Sequence, residues 1–590
     1  MHNTIGSEYC VEFDILNATH AIINISAPTK EDIISINSLL YAGLSYFNTK
    51  TMYTWEYEEG FTDGVVYIYN KNTQTIPIGL IPRATNYLKD RKPSLRIKVT
   101  DKVKRIYTSP NGVISRETIS AYAEGLNLHN RRDGTIIVPY EHQIKLVDRA
   151  LNGRRSSLLA CTSSGKSLSM CIISRYLMEV EKKKILIVVP STNLVEQLYS
   201  DFYEDYGWDG AEYNCTLIHG DSRDKLTNKQ KDNLKSLNLG EEVMLRPITI
   251  STWQSLQNKP DSFFKVFTAV IVDEAHGTRG AILRDILDKC PNASDFKIGL
   301  SGTLPDEGLD AAWIEGALGR KENIVRLKEL VLKGILTPVE VHTLIVPYLD
   351  SIRALVNRKN YQEEYSLITN NGSRKRVMDL LITSGKITTA ENTVLLYKSK
   401  ATLDDMYAYL KETYPQFKYY IIKGEIDTDE RERIRKEMEF STGNMIIATY
   451  GTMKQGVNIK LLHNLVFAEF SKSMYEVVQS IGRIVRKHKD KKLARVFDVC
   501  DDCSYYTKPR YEGGTPRLKE NYSMQHYKTR KSYYNMDDIP VIEYNLEGIF
   551  EATVYPDAVK SKKEAAKKAA TKKKPKVPTP TTTKAKSQFI

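Results

Sequence analysis

Short runs of apolar residues that do not alternate with polar ones, each followed at once by hydroxyls, glycines or carboxylates, recur along the middle of the chain. Ser157–Ala160, Ile185–Val189, Ile248–Ser251, Ala269–Val272 and Lys297–Leu300 make a first series. Val394–Tyr397, Tyr419–Ile422, Met445–Ala448, Leu465–Ala468 and Arg495–Val499 make a second. Such runs predict strands buried on both faces, the kind that sit in parallel sheets covered by helices. The stretches between them suit those helices: Leu168–Val180 has helical length and apolar content, and Leu194 and Leu198 mark another. The expected fold class is α/β, with two tandem parallel-sheet domains.

The pattern differs at both ends. Residues 1–112 read as a small α+β module, in which Thr29 and Asp32 have capping-box spacing ahead of the helical face Ile33, Ile36 and Leu40. Asp63-Gly64 lies between the aromatic run Tyr53–Tyr57 and the β-rich Val65–Tyr69, which predicts a hairpin. Its tyrosines fit a half-buried sheet better than a base-stacking surface. Residues 113–135 are polar and end in Arg131-Arg132-Asp133-Gly134, a linker pattern, after which Pro139–Gln143 opens a helix through Leu146, Val147 and Ala150. The expected units are therefore 1–112, a first sheet domain with leading linker at 113–325, a second at 326–510, an extension at 511–556 and a disordered tail at 557–590.

Composition narrows the class. Apolar residues are 41% and charged residues 27% of 590, and no run of about 18 apolar residues predicts a membrane span. The N-terminus lacks the basic and apolar blocks of a secretory signal, and seven scattered cysteines suit a reducing compartment, so a cytoplasmic location is expected. Cys500 and Cys503 form a lone pair of thiols at C-x-x-C spacing, better suited to packing than to zinc. The net charge of +13 suggests a nucleic-acid partner until it is located: eleven lysines against one acid fall within residues 560–586. The folded body is close to neutral, so a nucleic-acid groove there must be local. Such a tail can follow DNA phosphates without reading bases, while Lys572–Lys576 also has the composition of a nuclear address, the less favoured reading.

The chemistry-bearing residues lie where the apolar runs end. Thr162, Ser164, Gly165, Lys166 and Ser167 form a phosphate-binding loop between strand and helix: small residues let N–H groups curl around anionic oxygens, Lys166 faces the β/γ-phosphates of ATP, and Ser167 holds Mg²⁺. Asp273 and Glu274 end an apolar strand as adjacent carboxylates, one for Mg²⁺ and one to polarise the attacking water. Ser301 and Thr303 can link the ATP site to the second domain. Gln143 can read an adenine edge, against the plainer role of a solvated helix residue. Pro190, Ser191, Thr192, Thr252 and Trp253 are candidates for nucleic-acid contact at the C-terminal sheet edge, with packing the rival role for Trp253. The second series has no phosphate loop. It offers Thr449, Gly456 and Asn458 for close approach to a strand or nucleotide, and Gln479 through Arg486, in which Arg483 and Arg486 are three apart and so share a helical face toward the γ-phosphate.

In order and spacing these motifs resemble those of superfamily 2 helicases: phosphate loop, Asp-Glu-Ala-His, Ser-Gly-Thr and Gln-x-x-Gly-Arg-x-x-Arg. Over roughly residues 29–510 the chain is similar to the UvsW type, the recombination helicases of T-even phages, through Gly60–Gly64, Leu300–Gly302, Tyr361–Glu364, Gly424–Asp427 and Gln479–His488. The resemblance implies two RecA-like domains clasping ATP and Mg²⁺, an N-terminal module that touches DNA, and a monomer acting on branched DNA and RNA–DNA hybrids in the cytoplasm of an infected cell. The chain departs from the family pattern with Ala160 at the start of the loop, Ala275 in place of Cys, and the lysine tail. Rival functions are an RNA-directed or duplex-translocating ATPase that separates no strands, and an ATP-switched annealing protein.

Overall fold

The unalternating apolar runs form two seven-stranded sheets in which every pairing is parallel. The computed structural model describes residues 4–5, 8–108, 112–220, 240–356, 360–370, 372–424, 428–454, 459–507 and 515–546, so the lysine tail lies outside the described residues. The first sheet runs in the order Cys215–Ile218, Ile248–Thr252, Ile185–Val189, Ala269–Asp273, Lys297–Ser301, Arg155–Ala160 and Lys321–Val325. The second runs Lys418–Ile422, Asn444–Thr449, Thr393–Tyr397, Asn464–Phe467, Ala494–Asp502, Val339–Pro347 and Val541–Asn545. Central side chains such as Ile185, Ile187, Val270 and Ile271 are fully buried between helical layers, each stabilising the sheet by roughly 1.5–3 kcal/mol.

Four of these strands escaped the apolar pattern. Lys321–Val325 and Val339–Pro347 carry Glu322, Asn323, Glu340 and His342, while Val541–Asn545 is a half-exposed edge strand paired with Val339–Pro347. Cys215–Ile218 is an edge strand only four residues long. The segment expected as a separate extension thus supplies an edge of the second sheet. Its helix Tyr522–Met536 is anchored to the interior of the sheet through Arg530, whose guanidinium donates to Asp498 of Ala494–Asp502 at 2.9 Å and to the Ser471 carbonyl at 2.9 Å.

Two local expectations are corrected. Residues 113–135 are not a plain linker: Ser115 caps a helix Arg116–Gly125, and the four-residue spacing of Ile119 and Ala123 buries both beside the helix Glu141–Gly153. The aromatic run before Asp63 is not a strand either. Val65–Tyr67 pairs with Ser45–Phe47, and residues between them form turns at Thr51–Tyr53 and Trp55–Glu58, leaving Trp55 63% exposed. Aromatic β-propensity needs a partner strand in register, and here the partner came from upstream. Gly64 ends the excursion at φ +70°, where a Cβ would stand 2.6 Å from Thr51 Oγ1.

The N-terminal module is seated on the first sheet domain. Its mixed sheet centres on His20–Ala27, antiparallel to Cys10–Ile15 and Thr75–Pro77, and the helix Lys30–Gly43 covers it with Ile33, Ile36 and Leu40. Thr29 caps that helix by accepting from Asp32 N at 3.1 Å. The module meets the helix Gly308–Leu318: Ala312 enters its core, Arg83 pairs with Glu315, and a Cβ on Gly79 would fall 1.9 Å from the Glu315 carbonyl oxygen. Only glycine permits that approach.

Lys297 opens a central strand yet is 1% exposed, donating from Nζ to the Leu287 carbonyl at 2.6 Å. Burial, with the charge of Arg155 nearby, pulls its amine down to about 7. The same amine titrates near ~10.4 in an unfolded chain, so between about pH 7 and 10 the unfolded state holds more protons and stability rises with pH; below that window the burial penalty is complete. Lys297→Met is expected to raise the thermal midpoint near pH 6.5 by about 2 °C or more and to flatten that rise. Thermal melts of the two proteins over a pH series check this, and an equal or lower midpoint at pH 6.5 contradicts it.

Candidate active site

The phosphate loop begins where strand Arg155–Ala160 ends and closes at helix Lys166–Glu179. Ser163 (φ 67°) and Gly165 (φ 82°) both take left-handed backbone, which curls the loop; strain at a serine is of the kind functional sites store. Gln143 lies under this curl. Its amide donates to the Ser164 carbonyl at 3.1 Å and accepts from Tyr140 N at 2.8 Å, and His142 Nε2 is 2.8 Å from the same carbonyl. The amide expected at an adenine edge also braces the loop, with one of its two N–H donors. A Cβ on Gly165 would meet it at 2.1 Å. Lys166 Nζ donates to the carbonyls of Ala160 and Cys161 at 3.1 and 3.4 Å, and the Ser164 hydroxyl is buried without a hydrogen-bond partner. Ser167 Oγ meets the Tyr206 hydroxyl at 2.5 Å, a contact no local pattern signals because Tyr206 follows a separate helical turn.

The carboxylate strand is separated from the loop strand by Lys297–Ser301, whose residues Leu300 and Ser301 lie opposite Asp273 and Leu159. Glu274 has left-handed backbone at φ 51°, which turns its side chain out of the strand line. Its Oε2 is 3.2 Å from His276 Nδ1 and accepts from Ser301 Oγ at 3.3 Å; His276 Nδ1 is also 3.2 Å from Ser301 Oγ. The Thr303 hydroxyl is buried without a partner, while its carbonyl accepts from Ser301 Oγ at 2.7 Å. Burial and the adjacent charge of Glu274 push the Asp273 carboxyl up. Glu274 goes the other way: burial would raise it too, but the hydrogen bond from His276 and the charge of Lys166 outweigh that and hold it down.

The second sheet reaches this loop through the helix Met474–Ile484, which carries Gln479 and Arg483. Gly482 lies against the loop so closely that a Cβ would come 2.2 Å from Thr162 Cβ. Ser163 Oγ donates to the Gly482 carbonyl at 2.7 Å and accepts from Arg486 Nε at 3.1 Å. Arg486 is two residues past the helix end, so it does not share a helical face with Arg483; a turn, not helical spacing, brings it to the loop. Burial lowers both guanidinium groups, Arg483 to about 10 with the like charge of Arg486 adding to the effect, while Asp201 partly offsets it at Arg486. Paired buried cations favour an anion between the sheets.

A cavity of about 420 Å³ opens along the C-terminal edge of the first sheet, lined by Lys50, Pro190, Trp253, Glu274, His276 and Arg279 among others. It brings Pro190 and Trp253 beside the carboxylates and adds two cations, Lys50 from the N-terminal module and Arg279 from the turn that follows Glu274. Ser191 caps the helix Thr192–Ser200 with its own hydroxyl buried and unpartnered, and Thr252 accepts from Ser255 N at 3.2 Å. Thr449 ends its strand 3.1 Å from the Thr452 hydroxyl. Gly456 and Asn458 lie outside the described residues. Cys500 and Cys503 are buried free thiols, and no metal-binding cluster of His, Cys, Asp and Glu occurs among the described residues. No helix among them is long and apolar enough to cross a membrane.

Two family models match the chain, that of the type III restriction enzyme res subunit over residues 136–306 and that of the helicase conserved C-terminal domain over 373–488. The ATP-dependent DNA helicase uvsW of Enterobacteria phage T4 is 30% identical over 435 residues, 72% of this chain and 82% of that protein. The DNA 3'-5' helicase XPB of Kineococcus radiotolerans is 22% identical over 396 residues, 65% of this chain and 63% of that one. The crystal structure of T4 UvsW is similar over 91% of this chain and 99% of its own, at 23% identity and a TM-score of 0.45.

Proposed function

Because the chain belongs to the ATP-dependent DNA helicases of the UvsW type, within superfamily 2, we propose that its cleft hydrolyses ATP to separate strands of branched DNA: Holliday junctions, stalled forks and R-loops. The observation that carries this reading is the pair of hydrogen bonds joining Ser163 of the phosphate loop to Gly482 and Arg486 of the second domain. A guanidinium from one sheet on the phosphate loop of the other makes hydrolysis and domain closure one event.

In this reading the loop N–H groups, Lys166 and Ser167 hold the β- and γ-phosphates, and Thr162 and Ser164 line their cradle. Ser167 and Asp273 offer hard oxygen donors that suit Mg²⁺, and the carboxyl of Asp273, pushed up by burial and by Glu274, gains a counter-charge there. When bound, Mg²⁺ neutralises phosphate charge. Glu274 orients the attacking water, while Gln479, Arg483 and Arg486 face the transferred charge. Ser301 and Thr303 pass closure on to the DNA-facing edge. Pro190, Ser191, Thr192, Thr252 and Trp253 follow the DNA on one domain and Thr449 and Asn458 on the other, with Lys50 and Arg279 adding phosphate contacts. Gln143 and Gly456 shape the nucleotide side. The protein works as a monomer in the cytoplasm, with units at 1–112, 113–325 and 326–510, the last completed by the edge strand Val541–Asn545.

The test is ATP turnover measured beside strand separation on single-stranded, duplex, forked, four-way and RNA–DNA hybrid substrates. Forked and four-way DNA are expected to stimulate turnover most and to be separated only with ATP. Strongest stimulation by RNA, turnover without strand separation, or annealing that follows nucleotide binding alone would each replace this reading.

A further inference from the structure

His276 and Tyr475 stack across the cleft with ring centroids 3.9 Å apart and planes 20° from parallel. Tyr475 sits in the first turn of the helix Met474–Ile484 of the second domain, four residues before Gln479 and outside the motif that ends at Arg486. His276 belongs to the turn Ala275–Arg279 of the first domain. The same turn holds the tyrosine at a second point: Arg279 donates to its hydroxyl at 3.4 Å, the guanidinium lies 4.9 Å from its ring centre, and Asp310 pairs with Arg279 at 3.5 Å.

The stack matters because of what the other edge of the imidazole does. His276 Nδ1 is 3.2 Å from both Glu274 Oε2 and Ser301 Oγ. Rotating the ring out of its plane breaks both contacts, and the stacked tyrosine restricts that rotation. Glu274, on a strained backbone, depends on those contacts for its side-chain direction. The stack can form only when the helix of the second sheet faces the first, so opening the cleft frees the imidazole and leaves the carboxylate less constrained.

We infer that Tyr475 is a positioning residue, which fixes His276 and through it Glu274 only in the closed cleft. This rests on the assignment of Glu274 to the attacking water. It makes turnover sensitive to closure by a route separate from the arginines: one route supplies charge, the other aims the carboxylate.

The experiment uses the full chain with saturating forked DNA. Tyr475→Ala is expected to lower kcat about tenfold, while KM for ATP and affinity for a fluorescent ATP analogue stay within about twofold. Tyr475→Phe keeps the ring and should recover most of kcat. In a double-mutant cycle, Tyr475→Ala adds little to the loss already caused by His276→Ala. Independent, additive losses overturn the inference, as does a Tyr475→Ala kcat within twofold of the parent. Should Tyr475→Ala not fold, Tyr475→Leu carries the same cycle. Glu274→Gln run alongside separates the two claims: if that variant turns over normally, the assignment of Glu274 is what fails.

Discussion

Lys166→Ala and Glu274→Gln are each expected to abolish DNA-stimulated ATP turnover in a protein that remains folded. Lys166 is the cation at the mouth of the phosphate loop, and among the described residues it donates to the carbonyls of Ala160 and Cys161, an arrangement that a phosphate can displace. Removing the ammonium strips the loop of its one point charge toward the β- and γ-phosphates, leaving N–H groups as the remaining attraction. Glu274→Gln is the finer probe, because the amide keeps the shape and retains an acceptor for Ser301 while losing the charge that orients water. Loss of a general base costs roughly 10²–10⁴-fold. Neither change touches the buried strands, so melting and nucleotide-free DNA binding should match the parent. Steady-state turnover of the purified, folded variants decides the matter: near-normal rates in either one show that the site lies elsewhere.

Arg486→Ala is expected to lower turnover by roughly 10³-fold with a much weaker effect on nucleotide binding, as for an arginine finger supplied from a second domain. Its Nε already touches Ser163 of the loop, and its lowered pKa reflects a buried cation that a phosphate would pair with. The backbone at this position should survive the change, because the Arg486 carbonyl accepts from Thr337 Oγ1 at 3.1 Å irrespective of the side chain. Arg486→Lys sharpens the result: a lysine restores charge without the planar fork, so it should recover only a small part of the rate. Single-turnover measurements with a nucleotide-affinity series separate binding from chemistry. Lost nucleotide affinity with unchanged single-turnover chemistry would make Arg486 a binding residue.

The contrast between Arg483 and Arg486 shows how far local pattern reaches. Their spacing predicts one helical face, yet the helix stops at Ile484 and a turn carries Arg486 to the loop. The destination was legible in the charge and the motif; the route was not. Gln143 is the reverse case. Its helix is where the sequence places it, but its amide also binds Tyr140 N and the Ser164 carbonyl, because a loop with two left-handed positions needs bracing from below. For Tyr206 at Ser167 and Lys50 at the sheet-edge cavity, the sequence carried no signal at all. Each joins the site from an element distant along the chain, and neither has a spacing that local reading can test.

What the sequence determined by itself is everything that depends on neighbours along the chain. Strands buried on both faces appear as unbroken apolar runs, because a parallel sheet covered by helices leaves no polar face for alternation to mark. The phosphate loop and the carboxylate pair sit at the ends of those runs, because the C-terminal edges of parallel strands are where backbone donors and side chains converge on a ligand. What only the tertiary structure decided is which edges meet. The pairing of Val541–Asn545 with Val339–Pro347, the stack of Tyr475 on His276, and the hold of Ser163 on Gly482 and Arg486 join residues about 200 or more positions apart. Such contacts are set by completing a sheet edge or by packing two domain surfaces against each other, and the energy that selects them is shared over the whole contact surface, so no local run of residues records it.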